Sequence, residues 1–281
     1  MKLLRFGEKG QEKPGILDAQ GNVRSLEGVV DDIDGKLLSD LSVLDGVDFD
    51  SLPKVYSNAR FAPCVANPSK FLCIGLNYAD HAAESGMPLP PEPEVFTKAV
   101  SAVSGANDAI EKPRNSEKLD WEVELAIVIG KECKYVDEAN AMDYIAGYCV
   151  CNDVSERNFQ LERGSQWDKG KGCDTFGPIG PYLVTKDEVT DPCNLPMWLE
   201  VNGKRYQNGN TNTMVFKPAF LVSYLSQFMS LKAGDVISTG TPPGVGLGQT
   251  PPVYLNEGDM IELGIEGLGQ QKQVVVAAKS A

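Results

Sequence analysis

The chain has 281 residues, 42% hydrophobic and 23% charged; this suits one large folded domain, with or without a small companion, and excludes wholesale disorder. Asp and Glu number 39 against 26 Lys and Arg, a net charge of −13. So acidic a surface repels phosphate backbones and anionic lipid, which sets nucleic-acid and membrane-surface roles aside.

No apolar run reaches the roughly 20 residues of a membrane helix. At the N-terminus, Gly7 and charged residues arrive before a signal-peptide core could form. The cysteines are Cys64, Cys73, Cys133, Cys149, Cys151, Cys173 and Cys193. An odd number without paired spacing reads as reduced thiols in a cytoplasm. Cys149 and Cys151 sit in an apolar run and read as core residues. His81 is the only histidine, so a metal centre built on two or three imidazoles is excluded.

In chain order, residues 3–6 and 15–25 read as short strands, the latter turning at Gln20-Gly21-Asn22. Residues 26–45, polar with spaced Leu, Val and Ile, predict one or two short helices. Arg60 to Ser69, with Pro63 and Pro68, reads as a linker. The expected organisation is therefore a small N-terminal α/β domain over residues 1–65 and a main domain over 66–281. Lys70 to Gly75 reads as a buried strand. Asn77 is expected to cap a short helix from Tyr78 to about Ser85, stopped by Gly86. Met87 to Glu94 carries four prolines and predicts an extended surface strap. Strands are predicted over 121–129, 146–154, 234–239 and 259–263. Leu199 to Tyr206 is a hairpin turning at Asn202-Gly203, and Phe216 to Met229 is the longest helix. Strands dominate, so the expected fold is α+β and β-rich, rolled or barrel-like.

Candidate chemistry begins at Asp120-Trp121-Glu122-Val123-Glu124-Leu125. In a strand, residues two apart share a face, so Glu122 and Glu124 point the same way. One reading is a solvated outer face. The other follows from Ala126 and Val128, which continue that face and predict burial. A nearly uncharged strand then runs through Cys149 to Asp153. A third carboxylate there would complete an all-oxygen site for a hard cation, Mg²⁺ or Mn²⁺. Arg157 and Gln160, three apart, share a face if a helical turn begins there. His81 and Glu84 stand three apart on a short helix, where a carboxylate can orient an imidazole; a surface helix with chance charges is the alternative. With the strap, that helix suits a lid. In the Gly-rich loop 166–181, Lys169 or Lys171 could face an anion. In 238–248, flanking prolines exclude a dinucleotide fingerprint; that loop is expected to offer backbone N–H groups and the Thr241 hydroxyl to a substrate carboxylate.

Five ordered segments together resemble the fumarylacetoacetate hydrolase family, in its small bacterial branch. They are residues 75–84 (Gly-Leu-Asn-Tyr-Ala-Asp-His-Ala-Ala-Glu), 120–125, 147–157 (Gly-Tyr-Cys-Val-Cys-Asn-Asp-Val-Ser-Glu-Arg), 170–181 (Gly-Lys-Gly-Cys-Asp-Thr-Phe-Gly-Pro-Ile-Gly-Pro) and 239–246 (Thr-Gly-Thr-Pro-Pro-Gly-Val-Gly). The N-terminus also looks like members described as 2,4-diketo-3-deoxy-L-rhamnonate or fuconate hydrolases, some labelled ureidoglycolate lyase. The resemblance implies a mixed β-roll and a homodimer or homotetramer. It implies a metal on Glu122, Glu124 and Asp153, a lid pair of His81 and Glu84, and substrate contacts at Arg157, Gln160, Lys171 and Thr241. The implied reaction is metal-dependent cleavage of a small anionic keto acid, a 2,4-diketo-3-deoxy sugar acid, to pyruvate and a second acid. Decarboxylation of oxaloacetate, isomerisation or hydration on the same machinery are alternatives, as is a metal-binding protein without turnover.

Overall fold

The computed structural model describes residues 1–56, 58–84 and 88–278. The expected end of the lid helix at Ser85, its stop at Gly86 and the first residue of the strap, Met87, lie outside them. The strands form an eleven-stranded sheet, a five-stranded sheet and a two-stranded ladder. At the centre of the large sheet, Val123–Ile129 lies antiparallel to Ile145–Asn152 on one side and to Val236–Ser238 on the other. Val236–Ser238 in turn runs parallel to Phe71–Gly75, which pairs with Glu94–Lys98 at the edge.

The central strand is buried on both faces, and its alternation sorts its side chains between two cores. Val123, Leu125, Ile127 and Ile129 join the core beneath the five-stranded sheet, with Met197, Leu199, Ile261 and Leu263. Ala126 and Val128 face the other core, with Cys149, Cys151, Leu3, Ile16 and Leu37. A strand buried on both sides has no outer face, so the solvated reading of Glu122 and Glu124 fails: they are 5% and 2% exposed.

The mixed, strand-rich α+β fold is as expected. The sheet path ends at Val23–Ser25 and Glu94–Lys98, each paired on one side only, so no closed barrel forms. The hairpin turns at Asn202 and Gly203 with φ of 51° and 77°, the double positive φ that a type I′ turn requires. Pro218–Phe228 is the longest described helix, and no described helix is long and apolar enough to cross a membrane. The first strand, Lys2–Phe6, pairs with Leu183–Thr185 and so extends the large sheet. Residues 60–66 run beside it, with Ala62 N–H donating to the Arg5 carbonyl at 2.9 Å and Gly7 N–H to that of Arg60 at 3.0 Å.

Candidate metal centre and cleft

Register builds the acidic cluster. Asn152 lies opposite Val123 in the antiparallel pair, so the next residue, Asp153, falls opposite Glu122, and Asp153 N–H donates to the Glu122 carbonyl at 2.9 Å. One carboxylate oxygen from each of Glu122, Glu124 and Asp153 lies within 4.8 Å of the others.

Three buried anions this close repel. Burial, then the charges of Asp153 and Glu122, push the Glu124 carboxyl well above the usual range. Cations offset the rest. Lys171 Nζ lies 2.8 Å from Glu122 Oε2 and 2.9 Å from Asp153 Oδ2. Arg157 Nη2 reaches Glu122 Oε1 at 2.7 Å. Burial opposes ionisation of Glu122, but Lys171 and then Arg157 outweigh it and hold that carboxyl below its ordinary range. Lys171 is likewise opposed by burial and held charged by Asp153 and Glu122.

The donor set fits a hard divalent ion. Glu124 accepts through Oε2 from Ser238 Oγ at 2.6 Å and Gly240 N–H at 2.9 Å, while its other oxygen has no hydrogen bond among the described residues. Asp153 Oδ1 is buried without a hydrogen bond. Lys98 Nζ stands 2.5 Å from it, but donates with proper geometry to the Val154 and Lys171 carbonyls at 3.0 and 2.6 Å. An all-oxygen set of three clustered carboxylates, with one oxygen of Glu124 and one of Asp153 outside the hydrogen bonds, suits Mg²⁺ or Mn²⁺.

Arg157 is fixed by Asp120, whose buried carboxylate accepts from Arg157 Nε at 2.8 Å. It also accepts from the backbone N–H of Trp121 at 2.8 Å, Gly246 at 2.6 Å and Leu247 at 3.0 Å. Asp120 therefore ties the glycine-rich loop to the metal-side arginine. Gln160, three residues on in a π-helical turn (Asn158–Glu162), accepts from Arg157 Nη1 at 3.0 Å. Its amide nitrogen has no hydrogen bond among the described residues.

His81 and Glu84 lie on the helix Ala79–Glu84, with His81 Nδ1 3.3 Å from Glu84 Oε2. His81 is 8% exposed and faces inward, while Asp80 and Glu84 on the same helix are exposed. Burial opposes the Glu84 charge, but hydrogen bonds from His81 and Gly244 prevail and keep its carboxyl below the ordinary range. The expected Asn77 cap is not made. Its side chain instead accepts from Phe216 N–H at 2.7 Å and donates to the Phe216 and Thr239 carbonyls at 2.9 and 2.7 Å.

His81, Glu84, Glu122, Glu124, Arg157, Gln160, Lys171 and Thr241 all line one cleft of about 530 Å³. Thr241 meets it with its hydroxyl already committed, donating to the Val123 carbonyl at 2.9 Å and accepting from Gln207 Nε2 at 2.7 Å. The loop's backbone donors are committed too: Gly240 to Glu124, Gly244 to Glu84, Gly246 and Leu247 to Asp120. They organise the protein's own carboxylates, a use the sequence reading assigned to a substrate. Lys169 takes no part in the cleft; its ammonium bonds the Arg163 carbonyl. Sequence reasoning missed Lys98, Asp120 and Ser238 as site residues.

Comparison with known proteins places the chain. Residues 70–276 match the model of the fumarylacetoacetate hydrolase C-terminal family. A Burkholderia multivorans protein described only as a hydrolase is 62% identical, over 99% of this chain and 100% of its own. The fumarylacetoacetate hydrolase of psychrophilic Exiguobacterium antarcticum superposes with a TM-score of 0.89 at 36% identity, covering 99% of both chains. The maleylpyruvate hydrolase of Sphingobium sp. SYK-6, solved with manganese(II) and pyruvate, gives 0.83 at 28% identity, over 99% of this chain and 100% of that one.

Proposed function

The chain belongs to the fumarylacetoacetate hydrolase family, and from that premise we propose that it hydrolyses a carbon–carbon bond of a 2,4-diketo acid of the acylpyruvate type, releasing pyruvate and a second carboxylic acid. The observation that carries this reading is one cleft lined by Glu122, Glu124 and the His81–Glu84 pair, with a carboxylate oxygen of Asp153 within 4.8 Å of one from each of the two glutamates. The Sphingobium enzyme, with its manganese and pyruvate, supports both the ion and the product. A 2,4-diketo-3-deoxy sugar acid is the narrower form of the substrate, resting on the sequence resemblance.

Glu122, Glu124 and Asp153 would hold the ion. Bound there, Mg²⁺ or Mn²⁺ supplies Lewis-acid charge to the substrate oxygen on which negative charge gathers as the bond breaks. Glu84 takes the Nδ1 side of His81 and so favours the tautomer with Nε2 free to accept a proton. His81 then removes a proton from water, which attacks the 4-oxo carbon. The bond between the third and fourth carbons breaks, its electron pair moving toward the 2-oxo group, and the third carbon takes up a proton to become the methyl of pyruvate. Lys171 keeps positive charge beside Glu122 and Asp153. The Gln160 amide nitrogen, which lines the cleft without a hydrogen bond among the described residues, would donate to the substrate carboxylate.

The test is a panel of 2,4-diketo acids and oxaloacetate, with pyruvate followed with and without Mg²⁺ or Mn²⁺. The reading expects metal-dependent pyruvate and one equivalent of acid from the diketo acids. Metal-dependent release of CO₂ from oxaloacetate, with the diketo acids untouched, would make the protein a decarboxylase.

A further inference from the structure

Leu76 stands at the cleft wall with φ of +52°, a left-handed conformation that disfavours every residue with a Cβ, and glycine or asparagine least. The backbone is pinned there from both sides. The three side-chain hydrogen bonds of Asn77 follow it. Gly75 precedes it, pressed against Trp167 so closely that a Cβ would lie 2.7 Å from the indole ring. A leucine kept in a strained position on a binding cleft points to a use for its side chain.

Its neighbours show what that use is. The Phe96 ring centroid lies 5.0 Å from Lys171 Nζ and 5.4 Å from the Trp167 ring, and Trp167 lies over Gly75. An apolar wall thus starts beside the acidic cluster and runs to Leu76. Ile74 lines the same cleft, as do Leu161 and Leu247, which are 46% and 36% exposed at its surface. The basic side chains lining the cleft among the described residues are His81, Arg157 and Lys171. All three Arg157 nitrogens are engaged by Asp120, Glu122 and Gln160, Lys171 by Glu122 and Asp153, and His81 by Glu84. Among the described residues the cleft lining offers no lysine or arginine besides Arg157 and Lys171, both held at the acidic cluster, so a carboxylate set against the far part of this wall would be desolvated without a partner.

We propose that Leu76 is a specificity-determining residue and that the acyl end of the substrate is uncharged and ends in an apolar group, so that the enzyme takes monocarboxylic acylpyruvates and rejects dicarboxylic ones. The proposal rests on the hydrolase reading above. A hydroxyl next to the 4-oxo carbon is compatible with it, since Gln160, Gln249 and Thr250 also line the cleft; a terminal carboxylate is not.

The experiment compares an acylpyruvate with an alkyl acyl end against one of equal length ending in a carboxylate, for wild type, Leu76→Arg and Leu76→Gly, with Mn²⁺ present. Turnover is read as kcat/KM, and binding is read separately by calorimetry. Wild type should favour the alkyl substrate by about 10-fold or more, since a carboxylate set against the apolar wall gives up its hydration without a partner. Leu76→Arg should narrow or reverse that ratio by offering a forked donor to the added carboxylate. It leaves the backbone no more strained than leucine does, and Leu76→Gly, which relieves the strain, controls for folding. Equal or better handling of the dicarboxylate by wild type, or a ratio unmoved in Leu76→Arg, would overturn the proposal. If no diketo acid is turned over but the alkyl compound binds preferentially, the hydrolase reading fails while the tail preference stands.

Discussion

Glu84 and Gly244 are joined through a single donor: the Gly244 N–H lies 3.0 Å from each of the two Glu84 carboxylate oxygens. The His81–Glu84 pair is thereby docked on the same loop that Asp120 ties to Arg157. Gly248 completes the dock, because a Cβ there would fall 2.7 Å from the Glu84 carboxyl carbon. Gly248→Ala should therefore displace Glu84 and loosen its hold on His81. The expected outcome is a fall in kcat approaching that of His81→Ala, itself about 10²–10⁴-fold for loss of a general base, with Mn²⁺ affinity unchanged. Full activity in His81→Ala on a confirmed substrate would remove His81 from the base role.

Asp120 is buried and accepts four N–H groups. Asp120→Asn turns one acceptor into a donor facing donors, and strips Arg157 of one of its two charge partners, leaving Glu122. The variant should lose about 2–4 kcal/mol of stability and bind a 2-oxo acid product more weakly, as Arg157 is freed. Chemical denaturation and pyruvate titration check the two effects, and a change below about 0.5 kcal/mol would show that the loop holds without it.

Arg60 and Asp108 tie the segment after the N-terminal strands to the turn at Gly105. Asp108 accepts from Arg60 Nε and Nη2, both at 2.7 Å, and from Gly105 N–H at 2.9 Å. Burial opposes the Asp108 charge, but the Arg60 and Gly105 hydrogen bonds outweigh it and lower its pKa on folding. A lowered folded pKa means stability that is present above the unfolded value near 3.9 and is lost as pH falls through the folded value. Asp108→Asn should cost about 1 kcal/mol at pH 7, allowing for solvent screening of a partly exposed pair. The gap from wild type should close toward pH 2; a gap constant with pH would assign the loss to packing.

Metal binding should appear as stability. With free Mn²⁺ at 100 times its Kd, linkage gives about 2.7 kcal/mol, seen as a higher Tm than in a chelator. Glu124→Gln removes one oxygen ligand and also the repulsion that burdens the empty cluster. It should therefore be at least as stable as wild type in chelator and gain little from Mn²⁺. An equal Mn²⁺ shift in both proteins would place the ion elsewhere.

Much of this site was legible because its geometry is local. A period of two puts Glu122 and Glu124 on one face, and the apolar continuation through Ala126 and Val128 forecast their burial. Asp153 at a strand end and His81 with Glu84 on one helix face are equally short-range. What was missed depends on distant pairing. Lys98 reaches Asp153 because Glu94–Lys98 pairs with Phe71–Gly75, and the prolines of the strap hid that strand. Asp120 was quoted within its motif, but its partners at Gly246 and Leu247 lie more than a hundred residues away. The loop's donors were read as substrate ligands because sequence cannot show that three of the protein's own carboxylates, Glu124, Glu84 and Asp120, already claim them. The 26–45 stretch was right in kind: it holds the helix Gly35–Ser39 and a 3₁₀ turn, Leu41–Leu44.

The central claim is that Glu122, Glu124 and Asp153 grip one divalent ion. Crystals grown with Mn²⁺, measured at its absorption edge, test it directly. A single anomalous peak within about 2.1 Å of an oxygen from each of the three residues is the expected result, the distance typical of a hard octahedral cation. An empty cluster, with Lys171 still spanning Glu122 and Asp153 and the manganese bound elsewhere, would contradict it.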